Sequence, residues 1–116
     1  MTKSAEDEIT ATVLDYFEGW FEGDVTRMDR ALDPELVKRS PTRSLGMTTT
    51  KQHMLELTAA HEGAADVGDG RIEIAIEDVF GDIASVTVRG GVYHEYVHLV
   101  RTGDGWRIAN ALWCLQ

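Results

Sequence analysis

The sequence predicts an α+β fold in one domain over residues 1–116, with three N-terminal helices laid on one face of a curved antiparallel sheet. Three observations predict it. Apolar residues recur at helical spacing up to about residue 60. A glycine-bearing stretch from Glu62 to Gly70 follows, and beyond it the period drops from 3.6 to 2.

The elements follow in order. Ser4-Ala5-Glu6-Asp7 resembles a capping box, and Ile9, Val13, Tyr16, Phe17 and Trp20 mark an amphipathic helix over about 5–21. Asp24 can cap a short second helix with Val25, Met28 and Leu32 as its stripe, closed by Pro34. Residues 35–45 read as an irregular extended segment broken by Pro41. Thr48, Thr49 and Thr50 offer caps for a third helix, from Lys51 to about Ala60. Arg71 to Glu77 alternates as a half-buried strand, and Phe80-Gly81-Asp82-Ile83 turns into a second one, Ala84 to Arg89. Gly90-Gly91 breaks it; Val92 to Arg101 and Trp106 to Leu115 form the last hairpin. A helical layer on a curved sheet makes a cone whose open end suits a small ligand.

Composition narrows the function. Eleven Lys+Arg against 20 Asp+Glu leave a net charge of −9, and a sequence pI near 4.7 opposes binding to nucleic-acid phosphates. No run approaches the roughly 18 apolar residues of a membrane helix, and the acidic start Glu6-Asp7-Glu8 is no secretory signal. The single cysteine, Cys114, excludes an internal disulfide and a cysteine-based zinc site. The expectation is a soluble, cytoplasmic domain without membrane or nucleic-acid partner.

The closing hairpin, Tyr96-Val97-His98-Leu99-Val100-Arg101-Thr102-Gly103-Asp104-Gly105-Trp106-Arg107-Ile108-Ala109-Asn110-Ala111-Leu112-Trp113, resembles the final strands of the nuclear transport factor 2-like (SnoaL-like) superfamily. Within it the chain is similar to the lumazine-binding protein group. Tyr16 to Asp24, Asp33 to Arg39 and Asp78 to Val86 carry the likeness over almost the whole chain. The resemblance implies a cone-shaped fold with a pocket that hosts isomerases, dehydratases, cyclases or non-catalytic binders. Two positions depart from the group: Glu95 stands where an Asp is expected, and Ala111 where a Lys is frequent.

Several residues qualify for chemistry. His94, Tyr96 and His98 are spaced by two and share one strand face, which suits proton transfer, a divalent metal or a packed interface. His53 and His61 align on one helical stripe if the third helix continues, but eight residues apart they lack helical zinc spacing, and no metal is assigned. Asn110 alternates with Ile108 and Leu112 and needs a partner, either backbone or ligand. Tyr16 can aim its hydroxyl into the cone or pack as core. Trp20 and Tyr96 offer stacking surfaces, and Arg89 can close a pocket lip. Lys38, Arg39 and Arg43 form a local positive cluster, fit for an anionic ligand or for the acidic first helix. Asp15 lies on that helix's polar side and is set aside as a base. Trp106 and Trp113, seven apart, are expected on opposite strand faces.

Two functions follow. One is a cofactor-independent acid–base enzyme, with His98, His94 or His53 moving a proton while Tyr16 or Asn110 holds an oxyanion; no carboxylate reads as buried. The other is a non-catalytic ligand-binding or interaction domain. Apolar residues on both faces of the last two strands predict a homodimer.

Overall fold

The computed structural model describes residues 4–41 and 48–116. Three helices lead, α1 (Ala5–Glu22), α2 (Val25–Ala31) and, after strand β1 (Leu32–Arg39), α3 (Lys51–Ala59). A single 3-10 turn, Ala64–Asp66, precedes β2 (Ile72–Phe80), β3 (Ile83–Gly90), β4 (Tyr93–Thr102) and β5 (Gly105–Leu115). Each α-helix starts on a side chain that accepts a backbone N–H: Ser4 from Asp7 (3.1 Å), Asp24 from Arg27 (3.1 Å) and Thr50 from His53 (3.2 Å). Each such cap stabilises its helix by about 1 kcal/mol. Gly23 ends α1 with a left-handed φ of 71°, and the next residue, Asp24, begins the second helix's cap.

Strands β2 to β5 form an antiparallel meander, and the sheet order is β1-β5-β4-β3-β2. The outer strand β1 pairs in parallel with β5, so the sheet is mixed rather than wholly antiparallel. Pro34 sits inside β1 rather than closing α2. An edge strand with an irregularity between Leu32 and Val37 tolerates its missing N–H.

The helices cover one face. Ile9, Val13, Tyr16 and Phe17 of α1 meet Val86 and Val88 of β3, Val97 and Leu99 of β4, and Trp106 and Ile108 of β5, all buried. Fully burying one such side chain contributes about 1.5–3 kcal/mol, so this shared layer holds the fold. Among the described residues no helix is long and apolar enough to cross a membrane.

One irregularity decides the parity of β5. His98 pairs with Asn110 and Leu99 pairs with Ile108, leaving Ala109 as an extra residue. This β-bulge switches the alternation. Trp106 and Ile108 face the helices before it, and Ala111 and Trp113 face them after it. The two tryptophans therefore share one face, contrary to strict counting.

Candidate functional site

The interior of the cone is not purely apolar. Tyr16 lies on the buried stripe of α1, Lys38 on the inward parity of β1, and Glu95 on the inward parity of β4 beside Val97. The Tyr16 hydroxyl donates to Glu95 Oε1 and accepts from Lys38 Nζ at 2.5 Å. Lys38 Nζ stands 3.8 Å from the same carboxylate oxygen. Glu95 is 2% exposed and Tyr16 3%, so a carboxylate and a phenol are buried together with a cation at their edge.

Aromatic rings surround that cation. Lys38 Nζ lies 4.9 Å from the Tyr16 ring centroid, 5.8 Å from Trp20 and 5.7 Å from Trp113, within the range where a ring face attracts a cation. Trp20 is fixed in turn: its Nε1 donates to the Tyr93 hydroxyl at 3.1 Å, and that hydroxyl donates to Asp66 Oδ2 at 2.5 Å. Tyr93 stacks on Phe21 and meets Trp113 edge-on, with centroids 6.5 and 5.4 Å apart.

Electrostatics keep both phenols neutral. Burial, reinforced by the charge of Glu95 and the hydrogen bond to it, pushes Tyr16 well above its ordinary value. Burial and the hydrogen bond to Asp66 push Tyr93 up as well. Each hydroxyl is therefore a standing hydrogen-bond donor rather than a source of negative charge.

The sheet divides the sequence-predicted residues. Tyr16 and Trp20 lie in the cone. His94, Tyr96, His98, Asn110 and Arg89 lie on the opposite, uncovered face, where they line an open hollow of about 1310 Å³. The register sets Arg89 beside His94 and Ser85 beside His98, with Asn110 on the far side of His98. His94 and Tyr96 meet edge-on at 5.3 Å. Four residues along a strand separate His94 from His98 by about 13 Å, too far to share one metal ion. Asn110 leaves the face of Ile108 because the bulge intervenes, and no buried amide results. His53 is on the surface of α3, 3.5 Å from Glu56, and joins neither group. His61 ends up beyond α3, in a left-handed turn against Gly23.

The positive cluster is also split. Lys38 points inward and Arg39 lines the outer hollow, while Arg43 falls outside the described residues. Asp15 pairs with Arg27 and Arg30 at 2.8–2.9 Å, which explains its place on the polar side of α1. Two central residues were missed as site members, Lys38 in its inward role and Glu95. The expectation that no carboxylate is buried fails at Glu95. Its signal lay in β4 itself, since Val97 and Leu99 share its parity while the opposite parity carries His94, Tyr96 and His98.

Known proteins resemble this architecture throughout. An NTF-2-like protein of unknown function from Silicibacter pomeroyi DSS-3 superposes with a TM-score of 0.75 at 19% identity, each chain fully covered. An NTF2-like protein of unknown function from Shewanella baltica OS155 gives 0.69 at 14%, over 100% of this chain and 98% of that one. A ketosteroid isomerase-like protein from Erwinia carotovora atroseptica SCRI1043 gives 0.63 at 17%, over 97% and 96%. At such identities the likeness shows the NTF2-like fold alone. No curated protein matches the sequence. The family model described as "Putative lumazine-binding" matches residues 4–114, nearly the whole chain, and the protein belongs to that family.

Proposed function

We propose that this protein binds a small, flat heterocycle at the cone, with Lys38, Tyr16 and Glu95 as its polar anchor and Trp20 and Trp113 as its stacking walls. One observation carries the reading: an ion pair bridged by a phenol is buried inside an aromatic shell. Well-packed apolar side chains would stabilise the fold as well or better, so such a group points to a role in recognition or chemistry. A ligand carbonyl oxygen takes up the Lys38 ammonium, which the Tyr16 hydroxyl, itself donating to Glu95, holds in place, and the ring lies against the indoles. The family's description makes lumazine the natural probe. Titration calorimetry with lumazine is expected to show binding by the parent chain. Lys38→Met should weaken it about ten- to hundredfold, the scale of a hydrogen bond to a charged group. No binding, or equal binding by Lys38→Met, overturns the reading.

A second reading is acid–base catalysis, favoured by the continuous Lys38–Tyr16–Glu95 hydrogen-bond chain. Glu95 would take a proton next to a ligand carbonyl while Tyr16 and Lys38 hold the oxyanion, replacing the histidines in that role. Deuterium uptake from heavy water into an enolisable cyclic ketone, abolished by Glu95→Gln, is its test.

The histidine face then serves assembly. Tyr96 and Leu112 are each about half exposed there (54% and 50%), and we read this face, with His94, His98, Asn110 and Arg89, as a homodimer surface.

A further inference from the structure

The segment from His61 to Asp66 is seated against the cone with no spare room. A Cβ on Gly63 would lie 2.5 Å from Trp20 Cδ1, Nε1 and the Trp20 carbonyl oxygen. A Cβ on Gly91 would lie 2.1 Å from the Asp66 carbonyl oxygen. That carbonyl accepts the Val92 N–H at 3.1 Å, immediately before β4 begins. The Asp66 carboxylate is thereby held over the Tyr93 hydroxyl, which it accepts at 2.5 Å, and the same hydroxyl receives the Trp20 indole N–H. Three groups form one chain from a loop carboxylate to the ring beside the Lys38 head group.

We propose that Asp66 is the positioning residue for Trp20: by orienting the Tyr93 hydroxyl as an acceptor for the indole, it fixes the ring that walls the ligand site and so selects the ligand's shape. The chemistry is directional. A phenol has one hydrogen. With Asp66 taking it, the Tyr93 oxygen presents lone pairs toward Trp20. Without Asp66 the hydrogen is free to turn toward the indole N–H and oppose it. Trp20 is gripped a second time where its edge and carbonyl abut Gly63, so the ring has little freedom on the loop side. The claim about ligand shape rests on the cone being the ligand site; the claim about Trp20 does not.

The experiment separates the two. The full chain is labelled with fluorotryptophan, and its Trp20, Trp106 and Trp113 resonances are assigned by Trp→Phe substitutions and followed by fluorine NMR without ligand. Asp66→Ala is expected to shift and broaden the Trp20 resonance and leave that of Trp106 in place. Asp66→Asn, whose amide oxygen still accepts from Tyr93, is expected to keep Trp20 near its parental position. Lumazine affinity should fall about five- to tenfold in Asp66→Ala and recover in Asp66→Asn, the scale of one neutral hydrogen bond. Should Asp66→Ala not fold, Tyr93→Phe cuts the same chain and should move Trp20 alike. A Trp20 resonance unchanged in these variants overturns the positioning role. A resonance that moves while lumazine affinity stays constant overturns the selection of ligand shape. If the parent chain binds no lumazine, the function proposed above fails, and the Trp20 resonance alone still decides the positioning role.

Discussion

The Tyr16 hydroxyl connects a buried anion to a cation and satisfies both, so each of the three residues depends on the other two. Glu95→Gln removes the buried negative charge that faces Lys38 and is expected to cost about 3–5 kcal/mol in urea unfolding, the scale of a broken buried pair. The double variant Glu95→Gln/Lys38→Met should recover most of that loss; simple addition of the two single effects would contradict the coupling. The pH profile follows from the same groups. In the fold Tyr16 holds its proton well above the ordinary value of 10.0, so its contribution is intact below about pH 10 and lost as pH rises beyond it. Tyr16→Phe should flatten that alkaline limb of stability. At the acid end, burial alone would raise Asp15, but its hydrogen bonds to Arg30 and Arg27 outweigh burial and hold it below 3.8. Its contribution is present above about pH 4 and disappears as pH falls through the lowered value, and Asp15→Asn should remove that part of the acid limb. Tyr16 and Trp20 were legible in the sequence because a helical stripe has one inward side. Glu95 was legible only through Val97 and Leu99, the apolar residues of its own parity, set against His94, Tyr96 and His98 on the other.

At the scale of elements, caps and periodicity made all three helices readable to within a few residues, and the glycine turns made the meander readable. Hydrophobic alternation could not register the extra residue at Ala109, since a bulge is defined by its partner strand and leaves no mark on its own strand's composition. That one residue places Trp113 on the cone side, where it meets Tyr93 and the Lys38 head group. Deleting Ala109 should therefore do far more than shorten a strand. Strict alternation would turn either Trp106 with Ile108 or Ala111 with Trp113 out of the core. The expected result is loss of a cooperative unfolding transition by circular dichroism, whereas Ala109→Ser, which keeps the bulge, should unfold within about 0.5 kcal/mol of the parent.

For the whole molecule, the sheet is a partition: the proposed ligand site on the helix side, a broad uncovered face on the other. The expected solution state is a homodimer, with a light-scattering mass about twice the 12.9 kDa chain, and Leu112→Glu on the uncovered face should shift it toward monomer. A parent chain that remains monomeric at micromolar concentration contradicts this assignment of the face. Ligand binding on the helix side is tested most directly by a crystal structure of the protein soaked with lumazine. Ligand density is expected against Lys38 and Tyr16 between the Trp20 and Trp113 rings; density in the outer hollow beside Tyr96 and His98, with the cone unchanged, would contradict a ligand site in the cone.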